Sequence, residues 1–397
     1  MIAIKAMVVA VARLIIFYLF AVMPVNAANW SVDGTVEQEF SYDDNVRMLA
    51  DQSDASLIYK LVPDIHFSHK TAVLQLSANA VYELERFMAI PELDRDNQHY
   101  SLSGQYQMPR TVWRLNMAYN IAASRDTAEQ NSGDFATSSE RISRSVSPAL
   151  SYQLTEIDNL SVSVAYSDTT ESDSAFNANT NRMVQVSWSR SGPERYSTGL
   201  SISYANYEST GLNSLQTSNS VGINCSSTYM FSENWSLVGR EGIRLTASET
   251  TSISALGAET TKFSSAGFTS ETAIAYSGEL LNGQLSFNQN LSPSSQGQLN
   301  EQRQVHLNLN YNMTERLSVA LQTSYQGTES ASNEGSAERI NLTYQSSLSW
   351  KLAPDWRVSM HYRHQQQETT GSDETRVNSN RVMLSIQHNW SALNLAR

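Results

Sequence analysis

The stretch LSWKLAPDWRVSM, Leu348–Met360, sets two tryptophans six residues apart across a Pro-Asp turn, with large apolar residues alternating with Ser, Lys and Arg on both arms. Extending the first arm backwards gives Ile340, Leu342, Tyr344, Ser346, Leu348, Trp350 and Leu352, interleaved with Asn341, Thr343, Gln345, Ser347 and Ser349. A period of two sends successive side chains to opposite faces, so each arm is a β-strand with one apolar and one polar face.

The pattern recurs along the chain. Further apolar faces are Leu74, Leu76, Ala78, Ala80, Tyr82; Trp113, Leu115, Met117, Tyr119, Ile121; Val305, Leu307, Leu309, Tyr311, Met313; and Val382, Leu384, Ile386, His388, Trp390. Such segments number about 18, at roughly ten residues each, the length of a tilted strand crossing a bilayer. Short connections near 68–71, 108–111, 155–159, 190–195, 232–234, 277–282, 313–316 and 353–355 alternate with longer polar ones. The latter lie near 43–55, 85–97, 122–140, 167–180, 206–218, 246–262, 292–302, 326–338 and 366–378. The expected fold is all-β: a transmembrane antiparallel up-and-down β-barrel of about 18 strands, with short periplasmic turns and long extracellular loops. A propeller blade would pack four short strands into each repeat of about 40 residues, where this chain fits two long ones.

Composition agrees with strands rather than membrane helices, since only 40% of the 397 residues are hydrophobic. The exception is residues 1–27: Lys5 precedes and Arg13 interrupts an apolar run from Met7 to Met23, and small residues at Val25 and Ala27 favour cleavage over a retained anchor. This predicts a signal peptide at 1–27, a barrel at 28–390 and secretion across the inner membrane to the cell outer membrane. Loss of Lys5 and Arg13 would take the formal charge from -12 to -14, which disfavours nucleic acid as a partner. Cys225 is the single cysteine and reads as a small apolar strand residue.

On this strand map Trp113, Trp188, Trp235, Trp350 and Trp356 border short turns, and Trp30 and Trp390 fall where the first and last strands reach the same rim. Indole rings prefer the boundary between acyl chains and headgroups, so the seven are expected to form an aromatic girdle in contact with outer-membrane lipid. Pro148 is awkward, because it lies on the apolar face of a strand that closure requires to be paired on both sides. A local bulge is expected there.

The first hairpin carries FSYDDNVRM, Phe40–Met48, with a tryptophan ten residues before it. Through Tyr42, Asp44, Asn45 and Val46 it resembles the β-barrel porin family found with exopolysaccharide and exosortase-type loci of Gram-negative bacteria, whose members often begin with a strand ending in Tyr-x-Asp-Asn. The resemblance implies an outer-membrane component serving surface polysaccharide, with polysaccharide and periplasmic export components as partners. One departure is the end of the chain: barrels commonly finish on an aromatic residue, whereas Trp390 is followed by SALNLAR, read as a short C-terminal tail at 391–397.

No catalytic, cofactor or metal site is expected. The seven histidines are His66, His69, His99, His306, His361, His364 and His388, and period two sends His361 and His364 to opposite faces. The charged constellation lies in the lumen: Arg339, Lys351, Arg357, His361, Arg363 and Arg381 on the last strands, facing Asp33, Glu37 and Glu39 on the first, with Arg114, Arg240 and Arg244 elsewhere on the inner wall. Two roles are open. The charges could pair across the seam and fix register, or they could set a transverse field that orients a polar or anionic solute. A barrel this wide leaves an aqueous channel unless plugged, so the expected function is a porin-like passive conduit for exopolysaccharide or small hydrophilic solutes. The alternative is a non-conducting anchor for a polysaccharide-synthesis complex.

Overall fold

The computed structural model describes residues 29–396 apart from 51–53, 128–134, 136–138, 174–175, 193–194, 255–256, 294–298, 331–337 and 371–374. The signal peptide expected at 1–27 therefore lies outside the described residues. Among those residues the chain forms eighteen strands: β1 Asn29–Asp43, β2 Ser56–Lys70, β3 Leu74–Phe87, β4 Arg95–Gln107, β5 Thr111–Ala123, β6 Glu140–Gln153, β7 Asp158–Glu171, β8 Ala178–Ser191 and β9 Tyr196–Thr210. They continue with β10 Ser214–Met230, β11 Trp235–Ser254, β12 Gly257–Ser277, β13 Leu281–Pro293, β14 Leu299–Asn312, β15 Leu317–Ser330, β16 Arg339–Ala353, β17 Trp356–Thr369 and β18 Thr375–Ala396. Single 3-10 turns occupy Pro91–Leu93 and Ser124–Thr127. No helix of the described residues is long and apolar enough to cross a membrane.

Each strand pairs antiparallel with its sequence neighbours, and β1 pairs β18 from Asn29↔Ala396 to Asp43↔Arg381, closing the ring. Closure gives every strand a neighbouring strand on both sides, and with it the hydrogen bonds that lipid cannot supply. The expected closed antiparallel barrel of about 18 strands is what the chain forms.

Arg381 on β18 reaches Glu85 on β3, although β1 and β2 stand between them in the ring. Such a contact is possible only across the concave side. Odd positions of β18 and β3 therefore face inward, and pairing registers carry that parity consistently round the barrel. Accessibility is correspondingly inverted: Ile243 and Leu245 are 63% and 60% exposed, whereas Ser218, Gln326 and Asn341 are 1% or less. Such an inversion suits a lipid solvent outside and polar contacts within.

The strand map differs from expectation in three places. The connection placed at 206–218 is a turn at 211–213 between β9 and β10, and most of 246–262 belongs to β11 and β12. Ser and Thr alternation there is compatible with strand, and the cross-strand pairs Ser218–Ser248, Ser220–Thr246 and Thr251–Thr260 hydrogen-bond along the arms. The third difference is the C-terminus. Residues 391–396 do not form a separate tail: β18 continues to Ala396 because β1 starts at Asn29 and supplies partners, with one bulge where Val32 pairs Leu393 and Asp33 pairs Ser391.

Pro148 pairs Leu115 on its β5 side, while the β6–β7 ladder runs Val146↔Tyr166 and resumes at Ala149↔Ser163. The proline's missing N–H falls in that gap, so the ladder opens locally without a change of register. Pro63 does the same on β2, where pairing to β3 skips from Leu61↔Leu84 to Asp64↔Val81.

A candidate site beneath the inward-folded loops

All seven tryptophans, Trp30, Trp113, Trp188, Trp235, Trp350, Trp356 and Trp390, lie on outward positions of the rim that carries the short turns. Trp390 lies over Gly34, where a Cβ would come within 2.6 Å of its ring, and Trp356 stacks on His388 at 4.4 Å. Toward the opposite end of the wall stands a set of outward tyrosines absent from the sequence reading. Tyr42, Tyr59, Tyr82, Tyr100, Tyr119, Tyr166, Tyr204, Tyr325, Tyr344 and Tyr362 are all outward, by the same parity. Their recurrence at period-two positions toward the other end of each strand was the available signal.

The segment after β1 turns into the barrel, and Asp43 to Asn45 hold it there. Asp43 Oδ1 accepts from Asn45 N at 2.9 Å and Ser379 Oγ at 2.6 Å. Asp44 accepts from the backbone and side-chain amides of Asn380, each at 2.7 Å. Asn45 donates through Nδ2 to the carbonyls of Leu49 and Asn378 and accepts from Leu49 N, all at 3.0 Å. This bracket supports Met48 at φ 54, a left-handed conformation that a non-glycine residue adopts at some cost. Tyr42 points outward, whereas Val46 is turned in, 3% exposed.

Val46 joins Ile58, Phe87, Ile90 and Leu93 in a buried apolar cluster. At about 2 kcal/mol per buried apolar side chain it contributes on the order of 10 kcal/mol, enough to fix the loops as a cap. Arg47 bonds Asp54 within the loop after β1 at 2.7 Å and ties that loop to the one after β3 through Glu92 at 2.5 Å. These partners raise the guanidinium's pKa, and Glu92 is held low by its own backbone amide and by Arg47. The loop after β5 completes the cap: Arg125 donates to the Val46 carbonyl at 2.7 Å and lies 5.4 Å from the Phe87 ring centroid.

Below this cap four guanidiniums, Arg95, Arg125, Arg363 and Arg381, line a cavity of about 130 Å³ together with Asp43, Asp126, Gln365 and Ser379. Arg381 bonds Glu39 at 3.2 Å, Glu85 at 3.3 Å and Ser41 Oγ at 3.1 Å. Arg95 meets Glu85 and, at 2.6 Å, Asp126. Burial lowers the Arg125 pKa to about 10, helped by the neighbouring charge of Arg95, and leaves it protonated at neutral pH. Burial also raises Asp126, outweighing the pull of Arg95.

The structure brings together only part of the charged set singled out in the sequence. Arg363 and Arg381 are direct neighbours across β17 and β18 and share the cavity, and Glu39 joins through Arg381. Lys351 and Arg357 pair at the opposite rim, next to Gln387 and Glu37. Asp33 accepts from Ser31 at 3.5 Å, Arg339 sits at the outer end of β16, and His361 is inward with a buried Nδ1. Arg114 donates to Gln105 and Ser151, Arg240 meets Glu271 at 3.2 Å, and Arg244 is 9% exposed on β11. Arg95, Arg125, Glu85 and Asp126 were missed because they lie in stretches read as solvated loops. His361 and His364 both lie inside β17, on opposite faces, and no group of three His, Cys, Asp or Glu suited to a metal occurs among the described residues. Cys225 is exposed on the outward face of β10.

Neither protein-family models nor curated proteins match this sequence. Solved structures do. The ferric citrate transporter FecA in its unliganded form aligns over 90% of this chain and 79% of its own, at 8% identity and a TM-score of 0.50. Pseudomonas aeruginosa OccK2 (OpdF) in complex with glucuronate covers 92% and 98% at 11% identity and TM-score 0.45, and Pseudomonas aeruginosa OpdK with vanillate covers 91% and 99% at 10% and 0.46. At these identities the likeness is one of fold: the chain has the closed barrel of outer-membrane proteins.

Proposed function

We propose that this chain is an outer-membrane, porin-like barrel providing a passive conduit for hydrophilic solutes, secreted across the inner membrane by the segment 1–27. The observation that carries the reading is the inner wall. From β8 to β10 the inward positions include Asn181, Gln185, Ser187, Ser201, Ser203, Ser220 and Asn224, with no charged residue on any of the three strands' inner faces. Hydroxyls and amides can replace water along a solute's path without holding it tightly. The cap is built from loops after β1, β3 and β5, so it covers the other arc. A finer reading, resting on the resemblance at Tyr42 to Val46, takes polysaccharide as cargo and periplasmic export components as partners.

A second reading draws on the cap itself: with a fixed apolar cluster inside, the barrel would serve as a non-conducting anchor for a polysaccharide-synthesis complex. Planar-bilayer recording separates the two. Stable large single-channel steps are expected from folded protein, and silence from correctly folded barrels would favour the anchor.

A further inference from the structure

We propose that the cavity beneath the cap is a binding site for the carboxylate of a small anionic solute. It rests on the conduit reading only in that solute must reach the lumen.

The donor inventory of the wall is the first argument. Among polar atoms of the lining residues, Arg125 Nη1, Arg95 Nε and Gln365 Nε2 are buried with no hydrogen-bond partner. All three are donors. The lining carboxylates have donors of their own: Asp43 Oδ1 holds Asn45 and Ser379, and Asp126 holds Arg95 and Asn97. A site with spare donors and occupied acceptors lacks a group that only accepts, which describes an ionised carboxylate. Buried donors left without an acceptor destabilise the fold, so an acceptor placed among them recovers that cost.

Charge and size narrow the class. Four guanidiniums line the cavity against two carboxylates, with Glu85 and Glu39 behind the wall balancing Arg95 and Arg381. Counted together the four guanidiniums and four carboxylates cancel, so the site has no surplus charge to neutralise a dianion, and a phosphate dianion is disfavoured against a monoanion met by the three spare donors. The depressed Arg125 pKa has the same cause, crowded and desolvated positive charge, and an anion would relieve it. A volume of about 130 Å³ takes a carboxylate and the few atoms beside it. The remainder of a larger solute would extend into the lumen.

Titration calorimetry on the folded full-length mature barrel in detergent, at neutral pH, tests this with galacturonate, methyl galactoside and inorganic phosphate. Galacturonate should bind with one site per barrel, the neutral sugar should give no heat, and phosphate should bind at least tenfold more weakly. Gln365→Leu, which leaves the Arg125 contact to Val46 intact, and Arg125→Gln should each lower galacturonate affinity about tenfold, while Arg114→Gln near the opposite rim should not. Absence of galacturonate binding, equal binding of the neutral sugar, preference for phosphate, or unchanged affinity in Gln365→Leu would each overturn the site. A barrel that conducts without binding overturns the site alone, and one that binds without conducting overturns the conduit alone.

Discussion

Replacing Arg381 by glutamine separates a structural seam from a field across the lumen. Arg381 stands on the last strand and reaches Glu39 on the first at 3.2 Å and Glu85 on the third at 3.3 Å. Glu85 has a side chain 1% exposed, so its charge depends on Arg381 and Arg95 for compensation. Removing one member of a buried ion pair costs about 3–5 kcal/mol. Two considerations pull toward the lower end: Arg95 still holds Glu85, and the Glu39 contact borders the lumen, where screening leaves about 1 kcal/mol or less. The expected loss is about 3 kcal/mol, read as a lower urea midpoint at unchanged slope in lipid vesicles, with the rim tryptophans as the fluorescence probe. Pairing the change with Glu85→Gln should reveal a coupling of at least about 1 kcal/mol. A loss below about 1 kcal/mol, accompanied by altered ion selectivity in planar bilayers, would refute the seam and assign Arg381 to the field.

Other perturbations test other levels of the structure. Asn45→Ala removes three hydrogen bonds that fold the first loop inward, so at about 1 kcal/mol each the loop should lose about 2–3 kcal/mol of local stability, visible as faster amide exchange over 46–50 while β10 is unaffected. Met117→Arg, on the outward face of β5 between Trp113 and Tyr119, should cost about 2–4 kcal/mol in vesicle unfolding, whereas Asn116→Arg, one position away and inward, should cost less than about 1; equal costs would contradict the facing. Asp126 has a carboxyl pKa raised by burial, so its contribution to cap stability is fully present below the unfolded-state value and is lost as pH rises through the raised one. Asp126→Asn should therefore make proteolysis of the cap slower at neutral pH and flatten its pH dependence across that window.

The barrel was legible because its signal is local. Ile340 to Leu352 alternates strictly, and each repetition adds weight without knowledge of any partner strand. What the sequence hid is whatever depends on partners remote in the chain. Asn45 bonds the carbonyl of Asn378, 333 positions away, and nothing in Tyr42 to Val46 names that partner. Arg95 and Arg125 sit in polar stretches that read as solvated loops, and only the inward fold, secured by Val46, Phe87 and Leu93, buries them. The arms of β11 and β12 resemble a loop in sequence because Ser and Thr serve strands and loops alike. Residues 391–396 were set apart because the pairing that makes them strand begins at Asn29, at the other end of the chain.

The seam residues and the cavity residues are partly the same, and this constrains what the site can be. Arg381 closes β18 onto β1 through Glu39 and also lines the cavity, so a ligand that drew it away would weaken the closure of the ring. Arg125 and Gln365 carry no such duty: one comes from the loop after β5 and the other from β17, and their spare donors lie outside the ion pairs. A solute can therefore gain affinity from these two without loosening the barrel. It follows that bound galacturonate should leave the urea midpoint of the Arg381→Gln barrel displaced by the same amount as it does the parent. If ligand stabilised the parent alone, Arg381 would be the principal contact and the division between closing the barrel and holding a solute would fail.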